Sequence, residues 1–273
     1  LFAGILETPY RQAGVTMDAA RPTLSIITVC LNEPHLQRTC ESIVNQTFQD
    51  FEWIVIDGGS DRKTLDIFSR YRDRINYFVS EKDNGIYDGM NKGIDVAKGK
   101  WLNFMNAGDS FYSSTTLAEV APHFSDDVHG VLFGEQQYGY ENKNNISYSK
   151  RKNILAQLYT SVIHHQPSFI RDTCFTNYGN YNTEYKVVSD YIYFIKLYRY
   201  GVKFLYIDKI VAIVDNNGLS YMHICKEETT RIKNLMFTKD EKNTLMREEN
   251  LYKITLVREL LTKRQMLNLR HSK

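Results

Sequence analysis

The sequence has few cysteines, little net charge and no long apolar run. Its four cysteines, Cys30, Cys40, Cys174 and Cys225, show neither CxxC pairing nor the spacing of a zinc site. We therefore expect free thiols and a reducing, cytoplasmic compartment. The formal net charge of +2 is too small to suggest a nucleic-acid partner. No apolar run approaches the ~18 residues of a membrane-spanning helix.

Internal repeats, low-complexity tracts and a G-x-G-x-x-G turn after the first predicted strand are also missing. The last absence argues against an NAD-dependent oxidoreductase, whose pyrophosphate turn needs those glycines. With 273 residues, 42% hydrophobic and 24% charged, the chain fits one large α/β domain plus an appendage. Residues 1–22 show no clear period, and we expect a leader, a linker or a cloning remnant there.

Strands and helices alternate over the first 110 residues, which favours a parallel, Rossmann-like sheet. Asn32 is predicted to cap a first helix that has Pro34 at its first position, and Asp61 to cap a second. The apolar spacing of Ile86, Met90 and Ile94 predicts a third helix. The predicted strands are 24–31, 51–56, 77–80 and 101–106.

The second half of the chain is less regular. We predict helices near 114–124 and within 189–200, a strand at 131–133, and paired strands at 203–207 and 210–214. The domain is predicted to cover 23–222, followed by a basic amphipathic helical extension over 223–273. Residues 251–273 carry six Lys or Arg against Glu259 alone. Such a helix fits an anionic membrane leaflet, or packing on the domain or on a second subunit as a homodimer contact.

Polar residues cluster where the predicted strands end. Asp57 is followed by Gly58 and Gly59, a turn that lets the backbone approach a ligand closely. The segment 81–93 combines acidic, glycine and amide residues, and the turn 106–109 ends in Asp109. Each has a plainer alternative, because Asp57 or Asp109 could cap a following helix and Asp88 could simply pair with Lys92.

These motifs, in this order, resemble the GT-A glycosyltransferases of family 2, particularly bacterial members that build surface polysaccharides. The resemblance runs from Ser25-Ile26-Ile27-Thr28-Val29 through Asp57 to Asn106-Ala107-Gly108-Asp109, and covers roughly residues 23–220. It implies an α/β GT-A fold and an inverting, metal-dependent hexosyltransferase. The implied donor is a nucleotide-diphosphate sugar, most simply a UDP-sugar, and the implied acceptor a lipid-linked or free oligosaccharide.

The resemblance also assigns roles to residues. Asp57 matches the residue that recognises uracil, and Asp109 matches the metal ligand for Mg²⁺ or Mn²⁺, although Asn106 and Gly108 leave this motif with a single carboxylate. Asp190, at the start of a predicted helix, matches the catalytic base. Further donor-binding residues are implied at Thr28, Cys30, Asn32, Glu33, Gly58, Asp83, Gly85, Asn91, Lys92, Asn106 and His165.

Two matters stay open at this point. Because the acidic motif is depleted, a non-catalytic sugar-nucleotide-binding or scaffold subunit of a polysaccharide assembly complex is the alternative to an enzyme. The roles of His164 and His223 are also open. We expect the protein in the cytoplasm, with the basic tail favouring the inner membrane face.

Overall fold

The computed structural model describes residues 10–11, 21–140, 146, 153–160, 162–215, 223–248 and 250. Strands and helices alternate through its first half, as predicted. The strands are β1 Tyr10–Arg11, β2 Leu24–Cys30, β3 Phe51–Asp57, β4 Tyr77–Ser80, β5 Trp101–Phe104, β6 Ser110–Phe111, β7 Val131–Tyr138, β8 Ser168–Arg171 and β9 Phe204–Val214. The helices are α1 Leu36–Val44, α2 Arg62–Ser69, α3 Ile86–Val96, α4 Thr116–Val120, α5 Ile154–Thr160, α6 Asp172–Tyr178, α7 Ser189–Arg199 and α8 His223–Met236.

These strands form one sheet, in the order β1-β4-β3-β2-β5-β8-β7-β9-β6. The central strands β4, β3, β2 and β5 are parallel, which confirms the sequence prediction. Every residue of β2 is buried, as expected for a strand covered on both faces. The parallel register brings the carboxyl ends of these strands to one edge of the sheet.

The other half of the sheet is mixed. Strand β8 runs antiparallel to both β5 and β7, whereas β7 and β9 are parallel. The predicted hairpin over 203–214 is wrong, because these residues form the single strand β9. Register shifts between Phe133 and Glu135 and between Glu135 and Gln136 interrupt the β7–β9 ladder, and this irregularity explains the break in the apolar pattern of β9.

The first two helices begin differently. Asp61 caps α2, and its carboxylate accepts a hydrogen bond from the Thr64 N–H at 3.0 Å. The predicted cap of α1 is wrong, since the helix begins at Leu36 after His35 and not at Pro34. Asn32 instead has a φ of 51°, and its side-chain oxygen accepts from the Asp61 N–H across the sheet edge.

Two apolar layers cover the sheet. Alternate residues of β2 belong to different layers, with Ile27 and Val29 on one face and Ile26 and Cys30 on the other. Helices α3 and α7 contribute to the first layer, and α1, α2 and α4 to the second. All four cysteines are free, in agreement with the sequence prediction.

Part of the predicted C-terminal extension packs on the domain. Ile232 of α8, together with Phe237 and Leu245 beyond it, is buried in the first apolar layer. The Glu228 carboxylate accepts hydrogen bonds from the backbone N–H groups of Lys186 and Val187. The predicted basic stripe over 251–273 lies outside the described residues. No helix within the described part of the chain is long and apolar enough to cross a membrane.

Gly99 is required where the α3–β5 connection passes over β2. A Cβ at this position would lie 2.6 Å from the Leu24 carbonyl carbon and would also meet the Ser25 backbone nitrogen, neither of which can move without shifting β2. We predict that Gly99→Ala lowers the unfolding free energy by about 1–3 kcal/mol, the usual effect of overpacking. Urea denaturation measures the change. Lys100→Ala, at the exposed neighbouring position, is the control and should leave the midpoint unchanged; equal midpoints for both variants would contradict this account.

Candidate active site

Backbone hydrogen bonds bring together the loops at the carboxyl edge of the sheet. The Gly58 N–H donates to the Cys30 carbonyl at 2.8 Å, which joins the ends of β3 and β2. On the other side of β2, the Ala107 N–H donates to the Val29 carbonyl at 3.0 Å. The loops that follow β3 and β5 therefore flank the end of β2. Asp57 and Asp109 lie at the same edge, as ligand sites of open α/β sheets do.

Asp57 is fully buried at the end of β3. Its Oδ2 accepts hydrogen bonds from the Ser60 N–H at 2.9 Å, the Gly59 N–H at 3.2 Å and the Ser80 hydroxyl at 2.6 Å. Its Oδ1 is buried without a hydrogen-bond partner. Buried carboxylate oxygens are normally paired, so this atom is available to an N–H donor of a ligand.

Asp83 lies directly over the glycine turn that follows Asp57. A Cβ built on Gly58 would lie 2.6 Å from the Asp83 Oδ2, so only glycine lets this carboxylate approach the turn. The Asp83 Oδ1 accepts from the Gly85 N–H at 3.0 Å, and Gly85 has a φ of 118°, which favours glycine. The predicted residues Asp57, Gly58, Asp83 and Gly85 therefore form one cluster.

Two of the predicted donor-binding residues have hydrogen-bond partners inside the protein. Thr28 is fully buried, and its hydroxyl accepts from the Trp53 indole N–H at 3.0 Å, so its place in a donor pocket stays a prediction. The Asn91 amide donates to the Tyr181 carbonyl at 2.9 Å and accepts from the Tyr181 N–H at 3.0 Å. It fastens the loop before α7 to α3. Strand and helix periodicity identified neither partner, because both contacts join distant parts of the chain.

The remaining predicted donor residues lie around this edge. Cys30 is only 2% exposed, and burial raises the pKa of its thiol to about 12, so the thiol stays protonated. The Lys92 ammonium pairs with the Glu81 carboxylate at 2.6 Å, more closely than with Asp88 at 3.8 Å. This pairing raises the pKa of Lys92. Lys92 is therefore a cation on the outer side of α3.

Glu33 faces the turn that carries Asp109. Gly108 has a φ of 96°, and a Cβ built there would lie 3.1 Å from the Glu33 carboxyl carbon. The Glu33 Oε1 also accepts from the His35 N–H at 2.9 Å. The loops after β2 and β5 thus meet face to face, with one carboxylate on each.

Asp109 is a buried carboxylate held by neutral donors. Its Oδ2 accepts from the Gln166 amide at 2.9 Å, and its Oδ1 accepts from the Asp215 backbone N–H at 3.0 Å. Burial raises the pKa of Asp109 to about 6, although these two hydrogen bonds oppose the shift. Each oxygen retains a second lone pair. Among the described residues, no three His, Cys, Asp or Glu side chains are arranged to hold a metal ion.

Asp190, His165 and Asn106 form a connected chain of polar contacts. The Asp190 Oδ2 lies 2.7 Å from the His165 Nδ1, and the His165 Nε2 lies 3.0 Å from the Asn106 Nδ2. The Asp190 Oδ1 accepts from the Tyr87 hydroxyl at 2.7 Å and from the Tyr191 N–H at 2.9 Å. Asp190 lies in the first turn of α7, as the sequence predicted.

His165 and Tyr87, the two ionisable partners of Asp190, favour its charged form. Burial acts to raise the pKa of Asp190, but the hydrogen bond and positive charge of His165, with the hydrogen bond of Tyr87, outweigh it and lower the pKa. Burial first, and the neighbouring carboxylate second, raise the pKa of Tyr87 well above its usual value. Asp190 is therefore an anion at neutral pH, and Tyr87 a neutral donor to it.

His164 has a different environment from its neighbour. Its Nε2 lies 3.0 Å from the Tyr138 hydroxyl, and burial lowers its pKa to about 4, so the ring is neutral. This contact joins the segment before β8 to the end of β7. The other open histidine, His223, is the first residue of α8, and its side chain is outside the described set.

Three site residues were not found by sequence reasoning. Tyr87 and Gln166 lie inside motifs that the sequence analysis identified. Those motifs did not predict that Tyr87 would contact Asp190 or that Gln166 would contact Asp109. Asp215 follows β9 and contacts Asp109 through its backbone N–H, so its side-chain type carried no signal. The Asp215 carboxylate itself lies 3.1 Å from the His35 Nδ1.

Comparison with known proteins identifies the family of this chain. The model of the family described as glycosyl transferase family 2 matches residues 25–202. A "PGL/p-HBAD biosynthesis glycosyltransferase" of Mycobacterium bovis is 32% identical over 220 residues, which is 78% of this chain and 85% of that protein. An uncharacterized glycosyltransferase of Mycobacterium tuberculosis is 32% identical over 178 residues, 62% of this chain and 66% of that protein.

Solved structures share the fold at low identity. S. aureus TarS 1-349 in complex with UDP-GlcNAc has a TM-score of 0.66 and 20% identity, covering 83% of this chain and 71% of that one. Mannosyltransferase PcManGT from Pyrobaculum calidifontis, in complex with GDP-Man and Mn²⁺, has a TM-score of 0.60 and 17% identity, covering 79% and 61%. The chain is thus an α/β protein of the GT-A type, it belongs to glycosyl transferase family 2, and it is a glycosyltransferase.

Proposed function

We propose that this glycosyltransferase moves a sugar from a UDP-sugar to a hydroxyl of a saccharide acceptor, with inversion at the anomeric carbon. One observation carries the proposal. Two separate acidic groups, Asp57 with Asp83 and Asp109 with Glu33, lie along one sheet edge, and the paired Asp190 and His165 adjoin the second group through Asn106 and Gln166. Nucleotide, diphosphate and acceptor each have a matching set of side chains there.

The nucleotide base belongs to the Asp57 cluster. The Asp57 Oδ1 is a buried acceptor without a partner, and the N3–H group of uracil is a donor of matching kind. Asp83 lies beside it and supplies a second acceptor for base or ribose. Asn32, whose side chain joins the β2 and β3 loops, shapes the entrance to this cluster.

The diphosphate belongs near Asp109. Glu33, Asp57, Asp83 and Asp109 make this edge acidic, so a bare diphosphate would be repelled unless a cation accompanies it. The residues fit Mg²⁺ or Mn²⁺, because one carboxylate with free lone pairs is enough for an ion that takes its other ligands from phosphate and water. Bound at Asp109, the ion supplies neutralisation of the charge that develops on the leaving diphosphate.

The acceptor hydroxyl belongs beside Asp190. Bond formation requires the hydroxyl to lose its proton, and a buried carboxylate paired with an imidazole is suited to receive positive charge there. The acceptor oxygen then bonds to the anomeric carbon as the bond to the UDP oxygen breaks. The electron pair of that bond leaves with UDP.

A lipid-linked acceptor at the inner membrane face fits the basic tail. The sequence over 251–273 places Lys and Arg around an apolar stripe, a pattern that suits an anionic leaflet. The related Mycobacterium protein is named for the biosynthesis of PGL/p-HBAD. The motifs of this chain resemble those of bacterial enzymes that build surface polysaccharides, and a glycan of the cell surface is therefore the product class we favour. We retain 23–222 as the catalytic domain in this proposal, with α8 packed on it.

The enzyme activity is tested by UDP release. We predict that the wild type in Mn²⁺ releases UDP slowly from at least one of UDP-N-acetylglucosamine, UDP-glucose and UDP-galactose, with water replacing the acceptor. Asp109→Ala should lower this rate by on the order of 10²-fold or more, since charge on the leaving group is no longer neutralised. Asp66→Ala, at an exposed i,i+4 pair with Arg62, is the control. Release that is equally fast in both variants would contradict the role of Asp109.

The burial of Asp109 predicts a pH-dependent stability. Its folded pKa of about 6 lies above the unfolded value near 4, so folding favours the protonated acid and stability falls as pH rises through this window. In EDTA, Asp109→Asn should therefore be more stable than the wild type, with an advantage about 1 kcal/mol larger at pH 8 than at pH 5. Urea denaturation at the two pH values measures this.

The matched control for this pH series is Asp66→Asn, whose effect should not change with pH. Adding Mn²⁺ with UDP should stabilise the wild type and leave Asp109→Asn unchanged, because a ligand stabilises only a protein that binds it. A pH-independent advantage would show that the Asp109 carboxylate is not destabilised by burial. Equal stabilisation of both proteins would remove Asp109 as the cation ligand.

Membrane association is tested by a short truncation. Deleting 251–273 removes the basic stripe and retains Ile232 and Leu245, which belong to the core. We predict that the deletion lowers binding to phosphatidylserine-containing vesicles and leaves the weak binding to neutral phosphatidylcholine vesicles unchanged, since each basic residue contributes about 1 kcal/mol at an anionic surface. Co-sedimentation measures both. Undiminished binding to the anionic vesicles would exclude this tail as the anchor.

A further inference from the structure

The two oxygens of the Asp190 carboxylate have different partners. Oδ1 accepts hydrogen bonds from the Tyr87 hydroxyl at 2.7 Å and from the Tyr191 backbone N–H at 2.9 Å. A carboxylate oxygen has two lone pairs, so both of those on Oδ1 are occupied. Within the described part of the chain, Oδ2 contacts the His165 Nδ1 alone, at 2.7 Å, and keeps its second lone pair. Oδ2 can therefore receive a proton while every existing hydrogen bond stays in place.

Packing holds Tyr87 against this carboxylate. Helix α3, which carries it, lies directly on β2, because a Cβ built on Gly89 would be only 2.6 Å from the Val29 Cγ1. The Tyr87 ring is 4% exposed and packs against the Tyr181 ring, with the centroids 5.5 Å apart. Asn91 of the same helix makes two hydrogen bonds to the Tyr181 backbone. The hydroxyl is thus kept at Oδ1 by the surrounding contacts as well as by its own hydrogen bond.

From this geometry we propose that Tyr87 is a positioning residue for glycosyl transfer: it occupies Oδ1 and so makes Oδ2 the oxygen of Asp190 that receives the proton. The inference rests on the proposed function and deepens it. The acceptor O–H bond breaks with its proton moving to Oδ2, and the acceptor oxygen bonds to the anomeric carbon. The bond from that carbon to the UDP oxygen breaks, and its electron pair leaves with UDP. Tyr87 acts in this step only through the carboxylate.

Three other ionisable groups from neighbouring elements interact with Asp190 through space. They are His164 in the segment before β8, Tyr181 in the loop before α7, and Cys225 in α8. Burial lowers the pKa of His164 to about 4, and it raises the pKa of the Tyr181 phenol and of the Cys225 thiol. None of these three groups therefore adds a charge beside the carboxylate at neutral pH.

His165 and Tyr87 act on the pKa of Asp190 in different ways. Burial acts to raise this pKa, whereas the hydrogen bond and positive charge of His165, and then the hydrogen bond of Tyr87, lower it. The charge effect of His165 requires a protonated ring. Tyr87 is neutral, because burial raises its own pKa well above the usual value, so its hydrogen bond acts whether or not His165 is charged. Loss of the Tyr87 hydroxyl should therefore raise the pKa of Asp190.

The hydrogen bond is tested by ¹³C NMR of the Asp190 carboxyl carbon, assigned by the loss of one signal in Asp190→Asn. We expect this carbon to titrate at higher pH in Tyr87→Phe than in the wild type, because the phenyl ring fills the same space and donates no hydrogen bond to Oδ1. The readout needs neither a donor nor an acceptor sugar. An equal titration pH in the two proteins would overturn the inference.

Kinetics test the role of Tyr87 in the reaction. UDP release is measured in Mn²⁺ with whichever of UDP-N-acetylglucosamine, UDP-glucose and UDP-galactose the wild type hydrolyses fastest. Water then replaces the acceptor and must lose a proton in the same way. We expect Tyr87→Phe to lower kcat by on the order of 10- to 100-fold, the usual effect of a misplaced catalytic group, while the Kd for UDP, by calorimetry, stays within about twofold. The acid limb of its kcat/KM profile should move to higher pH, since the reaction needs ionised Asp190.

Tyr193→Phe is the matched control. Tyr193 lies three residues after Asp190 in α7 and belongs to the same apolar layer as Tyr87. Its ring stacks on Phe175 at 5.0 Å, and its buried hydroxyl has no hydrogen-bond partner within the described residues. This variant should leave kcat, the Kd for UDP and the Asp190 titration unchanged. Equal kcat values for Tyr87→Phe and Tyr193→Phe would overturn the inference, and so would a Kd for UDP in Tyr87→Phe that rises as much as kcat falls.

The inference and the proposed function fail in different ways. A wild type that releases no UDP from any of the three UDP-sugars contradicts the proposed function and removes the role of Tyr87 in catalysis with it. Normal UDP release by the wild type, with an unchanged Asp190 titration and at least half of the wild-type kcat in Tyr87→Phe, overturns the inference alone.

Discussion

Burial of negative charge at one sheet edge is the constraint on which the site depends. Asp57, Asp109 and Asp190 are each almost completely withdrawn from water, and an unpaired carboxylate in such a place is unfavourable by several kcal/mol. Each is stabilised differently. Asp57 receives three donors on one oxygen, Asp109 has two neutral donors, and Asp190 is paired with an imidazole. The interaction that each carboxylate lacks supports the ligand proposed for it.

The three carboxylates at this sheet edge differ in their hydrogen-bond partners, so their chemical environments differ as well. Asp57 lacks a donor on Oδ1, and in the proposed function a nucleobase N–H would supply one. Asp109 has no cationic side chain among its hydrogen-bond partners, and burial raises its pKa; in the proposed function a divalent cation would supply the positive charge. Asp190 already has an imidazole partner in His165, and in the proposed function this pair would lie beside the acceptor hydroxyl. The different neighbours of these three carboxylates support the three separate tasks proposed for them.

The sequence predicted the parallel half of the fold well because its signals are local. The apolar run of β2, the capping carboxylate of Asp61 and the glycine turn after Asp57 are each determined within a few residues. The mixed half was harder. The sequence at the register irregularity of β9 resembles a turn, so one strand was predicted as two. The short strand β8 has no strong strand pattern of its own, and its pairing with β5 and β7 depends on residues far away in the sequence.

The same distinction explains the site residues. Asp109 and Asp190 were predicted because a family pattern marks them, whereas Thr28 and Asn91 were assigned to a ligand although their partners are Trp53 and the Tyr181 backbone. No spacing rule relates Asn91 to a residue ninety positions away. The pairing of His165 with Asp190 was missed for the same reason. Periodicity shows which face a residue occupies, and only the folded chain shows what lies opposite it.

A crystal structure with UDP and Mn²⁺ tests the central claim most directly. We expect the uracil N3–H to donate to the Asp57 Oδ1, and the ion to contact Asp109 and the diphosphate. A nucleotide bound away from this edge, or a diphosphate bound without contact between the ion and Asp109, would contradict the account.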